Sequence, residues 1–218
     1  MSCKCDRCKS KLIKWGTYKT RQRYKCTQCN KTEMQQYIYR AYLKSTNKQL
    51  VNLLKESVGI RGISRLLRIS KTTVLKRIVE IAQNLQPPYI LKGKTYEVDE
   101  MRTYIGNKKK LFWVVYALER KTRNVVSINV GRRTKNTIKH VINTLVLSYA
   151  KKIYTDQLNI YKSLIPKNIH KVKEFGTNYV ERKHLNIRTH LKRMDRKTIC
   201  YSKSLVLLSS CIKIYLWG

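Results

Sequence analysis

The alternation of apolar and polar positions changes period twice along this chain. Residues 11–25, KLIKWGTYKTRQRYK, alternate around Gly16 and predict a short β-hairpin. From Asn47 to Leu85 the spacing lengthens to that of helices. Leu50, Val51, Leu53, Leu54 and Val58 form one apolar stripe, Ile63, Leu66 and Leu67 a second, and Val74, Leu75, Ile78, Ile81 and Ala82 a third. The joint at Arg68–Ser70 is tight, and Ser70 is placed to cap the third helix. Two prolines in QPPYI, residues 86–90, cannot continue a helix and mark a boundary. Beyond them KTYEVDEM (94–101), LFWVVYALE (111–119) and NVVSINV (124–130) read as three consecutive strands. A helix is expected over 134–150, strands over 151–156 and 169–175, and a last long helix over 178–194.

These periods divide the chain into three parts: 1–45, 46–88 and 89–218. A three-strand meander, helix, strand, helical stretch, strand and helix is the element order of a ribonuclease H-like fold. The expected fold class is therefore α/β: a ribonuclease H-like mixed-sheet domain, preceded by a small zinc ribbon and a helix-turn-helix.

Charge narrows the choice of partner. Lys and Arg total 48 against 12 Asp and Glu, a formal charge of +36 spread along all 218 residues. Such self-repulsion calls for a polyanion, and double-stranded DNA comes first. An anionic membrane is the rival, but the chain contains no run of about 18 apolar residues and its N-terminus reads as no signal peptide. The expected setting is cytoplasmic, without membrane association.

Five of the seven cysteines fall within the first 29 residues. Cys5 and Cys8, then Cys26 and Cys29, form two CxxC pairs at the separation of a four-thiolate zinc site, so one structural Zn²⁺ is expected there. Cys3 fits neither pair, and Cys200 and Cys211 are read as buried small hydrophobes. In a helix-turn-helix reading, Lys71, Thr72, Thr73, Lys76 and Arg77 open the recognition helix and face base edges or phosphates. Lys192, Arg193, Arg196 and Lys197 form a basic run with few acids to pair, which reads as a phosphate track.

Only eight carboxylates follow residue 90, and none lies within seventeen residues of Asp156. Asp99 lies in the first strand of the mixed domain, Asp156 ends the strand expected beside it, and Glu181 lies in the first turn of the last long helix. Three acids converging without basic partners repel one another unless cations sit between them. Two Mg²⁺ (or Mn²⁺) ions held roughly 4 Å apart drive in-line attack at phosphorus. Glu97 shares a strand face with Asp99 and Glu100 adjoins it; each is either a solvated strand residue or a partner behind the site. His184, one turn from Glu181, reads as a surface histidine, and His140, His170 and His190 as structural. Fifteen tyrosines raise the possibility of a tyrosine recombinase, but none sits in an arginine-histidine-arginine setting.

EVDEMRTYIG, YTDQLNIYKSL and ERKHLNIRTHLKRMDRKTICYSKS resemble the corresponding blocks of the insertion sequence one family of bacterial transposases. The N-terminal zinc finger and helix-turn-helix are similar to that family's DNA-binding part, so the resemblance covers nearly the whole chain. It implies an Asp-Asp-Glu triad, carried over onto Asp99, Asp156 and Glu181, with Arg188 as the basic residue seven positions after the glutamate. The 24 residues between Asp156 and Glu181 agree with the family's short second spacing. The last stretch, LVLLSSCIKIYLWG, is more apolar than the family pattern. The implied activity is binding of an element's terminal inverted repeats, 3′-end cleavage and strand transfer into target DNA. A homo-oligomeric synaptic complex beside the bacterial nucleoid is implied as well. The other classes compatible with these residues are a DNA-binding repressor with a relic catalytic domain and a ribonuclease H-like nuclease or resolvase.

Overall fold

The computed structural model describes residues 4–34, 39–43, 45–173, 176–195 and 198–218. Cys3, Glu174, Arg196 and Lys197 lie outside the described residues. The chain forms two compact units, Met1–Thr46 and Asn47–Gly218.

In the first unit, strands β1 (Leu12–Tyr18), β2 (Arg21–Cys26) and β3 (Thr32–Met34) make an antiparallel sheet in sequential order. The hairpin turns at Lys19 and Thr20, whose φ of 46° and 65° are the paired left-handed values that a two-residue turn needs. Gly16, at φ 70°, instead occupies a register shift between Lys14 and Thr17. The expected centre of the hairpin is thus a bulge, where a residue without Cβ takes the left-handed conformation. After each CxxC pair the chain turns through another left-handed residue, Lys9 at φ 62° and Asn30 at φ 57°.

The second unit opens with α1 (Thr46–Lys55), α2 (Ile60–Leu67) and α3 (Lys71–Asn84). Leu50, Leu54, Ile63, Leu67, Val74 and Ile78 are buried, and α2 packs on α3. Arg68 ends α2 in the left-handed conformation, φ 53°, and Ser70 caps α3 by accepting the Thr73 amide at 3.0 Å.

Strands β4 (Thr95–Tyr104), β5 (Leu111–Glu119) and β6 (Val125–Gly131) form the expected meander. Helix α4 (Lys135–Leu147) leads to β7 (Lys152–Thr155), and α5 (Asn159–Leu164) to β8 (His170–Val172), each strand parallel to its inner neighbour. The sheet order is β6-β5-β4-β7-β8, so the first strand of the domain is central. Helices α6 (Asn178–His190) and α7 (Leu205–Trp217) complete the α/β unit. The expected helix over 178–194 stops at His190 and passes into a short 3-10 turn, Lys192–Met194.

Alternation along β4 decides which side chains meet which helix. Tyr96 and Val98 join Val115, Ala117 and Val126 under Ile138, Val141, Ile142 and Leu145 of α4. Glu97 faces the opposite side and meets α6. The apolar C-terminal stretch is an intact helix: α7 packs against α3 and β6, and Trp217 donates its indole N–H to the Val125 carbonyl at 2.8 Å. Cys211 is buried as expected, whereas Cys200 is exposed.

Candidate active site and metal centres

Strand register positions the first two acids. Glu97 of β4 lies opposite Tyr154 of β7, so Asp99 comes level with Asp156, the residue at which β7 has ended. Asp99, Glu100 and Asp156 each bring one carboxylate oxygen within 4.8 Å of the others. Asp156 accepts the Leu158 amide at 3.1 Å, and Asp99 accepts the Glu100 amide at 2.7 Å. Burial, followed by repulsion from Glu100, Asp156 and Glu181, pushes the Asp99 carboxyl up to about 7. This group therefore gives up its proton less readily than an ordinary carboxyl, and a bound cation would favour its ionised form.

Helix α6 carries the other expected residues, and β4 fixes where it starts. Glu97, with 0% of its side chain exposed, accepts the Tyr179 and Val180 amides at 3.0 Å each. A helix N-terminus offers unpaired N–H groups and a positive dipole end, and here a strand carboxylate satisfies both. Arg120 pairs with the other Glu97 oxygen at 2.8 Å and stacks over Tyr154. Tyr116 donates its hydroxyl to the Val180 carbonyl at 3.1 Å, so a second sheet residue holds the same turn. The sequence alternatives for Glu97 resolve against a solvated strand residue. Tyr116 lies in an apolar run, and Arg120 sits in the charged turn ERKTR, where nothing local singles it out.

From that anchored start, α6 lines an open cleft of about 1060 Å³ with Asn178, Glu181, Arg182, His184, Arg188 and, past the helix, Lys192. Glu181 is exposed, accepts the Thr177 hydroxyl at 3.1 Å, and stands outside the close group of three carboxylates. Its charge nonetheless acts on Asp99. The expected surface histidine is not at the surface. His184 is only 15% exposed, with Nδ1 3.8 Å from Asp99 and its ring edge-on to Tyr116 at 5.4 Å. Burial, and then the Arg188 guanidinium, push it down to about 4, so it is neutral at pH 7 and forms no ion pair with Asp99.

In the first unit the two cysteine pairs interleave. Cys5 Sγ lies 3.7 Å from Cys29 Sγ and Cys8 Sγ 3.3 Å from Cys26 Sγ, and all four approach within 4.8 Å. Hydrogen bonds from Ser10, with help from Cys26, lower the Cys8 thiol to about 6. Four thiols at these separations, one already inclined to ionise, form the donor set of a tetrahedral metal site.

Among the expected DNA-contacting residues, Lys71, Thr72 and Lys76 are exposed on α3, while Arg77 is half-buried. Lys76 and Arg77 lie 3.9 and 4.0 Å from Glu80. Thr73 is half-buried, its hydroxyl 2.8 Å from that of Ser70 in the cap. Lys192 is exposed, whereas Arg193 turns inward and donates to Ser202 Oγ at 2.9 Å. No helix among the described residues is long and apolar enough to cross a membrane.

Comparison with known proteins bears on the second unit. Insertion element IS1 protein InsB of Shigella flexneri is 34% identical over 120 residues, covering 55% of this chain and 92% of the relative. Insertion element iso-IS1n protein InsB of Shigella dysenteriae is 33% identical over 108 residues, covering 50% of this chain and 82% of the relative. Among solved structures, the HTLV-2 integrase catalytic core domain in complex with magnesium is 14% identical, with a TM-score of 0.38, covering 59% of this chain and 86% of that one. Residues 93–217, more than half of the chain and the part that contains the carboxylate group, α6 and α7, match the IS1 transposase family; the chain belongs to that family and is a DNA transposase.

Proposed function

We propose that this transposase binds the terminal inverted repeats of an insertion element, cleaves their 3′ ends and joins them to target DNA at the Asp99–Asp156 centre of a ribonuclease H-like domain. The observation that carries the reading is the convergence of Asp99 and Asp156 at the end of β7, with the Asp99 carboxyl raised to about 7. Buried carboxylates that also repel one another are prepared for cations. Asp99, Asp156 and Glu181 are the ligands assigned, with Glu181 swinging from Thr177 toward the other two. Two Mg²⁺ or Mn²⁺ ions, when bound, would activate water and offset charge at phosphorus.

The protein groups then have separable tasks. Arg188 neutralises a phosphate beside the carboxylates, and Lys192 extends the track along the cleft. Neutral His184 keeps a positive charge away from the ligands while filling the space between Tyr116 and Asp99. In the first step water attacks the scissile phosphorus and the element's 3′ oxygen leaves as a hydroxyl. In the second, that hydroxyl attacks target phosphorus and a target 3′ oxygen leaves. Both are direct displacements without a protein–DNA bond.

The four cysteines are assigned one Zn²⁺. Helices α2 and α3 serve as a helix-turn-helix in which Lys71, Thr72 and Lys76 face DNA, and Thr73 and Arg77 support that face. A homo-oligomer brings two element ends together, beside the nucleoid in the bacterial cytoplasm. Arg193, tied to Ser202, is reassigned from the phosphate track to the support of the turn after α6. The test incubates the full chain with a labelled terminal-repeat duplex, a target plasmid and Mg²⁺. Joined product is expected from wild type and none from Asp156→Asn. Cleavage without joining would mark a nuclease, and repeat binding without cleavage a repressor.

A further inference from the structure

We infer that Glu100 is a fourth carboxylate of this centre and holds one of its divalent cations together with Asp156. The inference rests on the metal-dependent reading above and adds a ligand that the family triad does not include.

Three observations carry it. Glu100 lies on the α4 side of the sheet, where a carboxylate has no business among Tyr96, Val98 and the apolar residues of α4 unless something receives it. Its side chain is 1% exposed, and among the described residues no hydrogen bond of normal geometry reaches Oε1, although the buried Tyr161 hydroxyl lies close enough to act on the carboxyl. Arg133, 42% exposed, stands off from that oxygen at 3.7 Å, beyond hydrogen-bond length, so the pair does not satisfy the buried charge. Yet one oxygen of Glu100 lies within 4.8 Å of one from Asp99 and one from Asp156.

Strand geometry explains how neighbours with opposite directions meet. Asp99 and Glu100 project to opposite sheet faces, and an adjacent strand would normally keep them apart. Here β7 ends at Thr155, and the position beside Asp99 is the departing residue Asp156. The two side chains of β4 approach one another across that open edge, with Asp156 between them. Charge favours the same assignment. Two divalent cations bring four positive charges, the triad supplies three negative ones, and a fourth carboxylate closes the difference.

A purely structural role would tie Glu100 to Arg133 and the Tyr161 hydroxyl, so the test separates these partners from the metal. Tyr161→Phe is expected, like Arg133→Gln, to leave Mn²⁺ affinity unchanged. Mn²⁺ binding to the DNA-free full chain is followed by the loss of the free-ion paramagnetic resonance signal. Glu100→Gln is expected to weaken one class of Mn²⁺ site at least tenfold, Asp99→Asn to weaken both, and Arg133→Gln to leave affinity unchanged or tighter. Glu100→Asp, which keeps the charge at shorter reach, is expected to recover part of the lost binding and shows that the loss is not misfolding. Wild-type Mn²⁺ affinity in Glu100→Gln, with Asp99→Asn impaired, overturns the role of Glu100 and leaves the centre standing. An Arg133→Gln loss equal to that of Glu100→Gln also overturns it. Unchanged binding in Asp99→Asn overturns the centre and Glu100 with it.

Discussion

Replacing Asp99 with asparagine should stabilise the metal-free protein, and the size of the gain follows first from the burial of its charge and then from the repulsion at the site. The folded carboxyl is raised to about 7 against an ordinary 3.8. The folded state therefore holds the proton more tightly than the unfolded chain, and stability is lost as pH rises between those values. Fully ionised, the group costs the fold about 4 kcal/mol at pH 8, and less than half of that at pH 5. Burial is the largest part of that cost and Glu100, Asp156 and Glu181 share the repulsion, so Asp99→Asn should recover about 2–4 kcal/mol at pH 8. His184 acts in the opposite direction. Its folded value near 4 against 6.5 removes about 3 kcal/mol as pH falls through that window. The wild-type profile sums opposing contributions, so the difference between variant and wild type is the quantity to measure. Urea unfolding in EDTA at pH 8, 6 and 4 gives it: the gap should be widest at pH 8 and close by about pH 4. Added Mg²⁺ should reverse the sign by stabilising only the wild type. A variant no more stable than wild type at pH 8, or a gap that persists at pH 4, would refute the argument.

Glu97→Ala removes a buried carboxylate that holds two α6 amides and Arg120, so unfolding should show a loss of about 3 kcal/mol, with metal-dependent activity falling because α6 loosens. Chelation of the four-cysteine site, or Cys26→Ser, should release one equivalent of metal by elemental analysis and unfold the first unit, whose short sheet has little other core. In DNA titrations Lys76→Ala should reduce the salt slope by about 1 for every sequence, whereas Thr72→Ala should relax sequence preference at a constant slope.

The order and type of the elements were legible because their periods differ. Short apolar or mixed runs between turns marked β4, β5 and β6, and the 3.6-residue stripes marked α1 to α3. The two CxxC pairs predicted the thiol cluster, and the scarcity of acids pointed to Asp99 and Asp156. What stayed hidden depends on contacts between distant segments. Glu97 reads as one more polar residue until α6, more than 80 positions later, begins above it. Glu100 looks solvated because nothing local reveals that β7 will end beside it. His184 reads as surface because its burial comes from Tyr116 on another strand. The hairpin turn was displaced from Gly16 for a different reason. A glycine marks a left-handed backbone, but a bulge and a turn both need one, and Lys19 and Thr20 adopted the turn without it.

The Glu97 cap makes β4 a ruler for the whole centre. One strand carries, two residues apart, a metal-ligand candidate and the anchor from which α6 is measured. A one-residue slip of β4 would carry both to the opposite face at once. The centre thus has no half-built form in which the strand acids are correct and the helix is displaced. Detaching α6 would strand a buried carboxylate and the Arg120 charge together. The strand carboxylates and the start of α6 are thereby fixed by one contact, even though more than 80 positions of chain separate them.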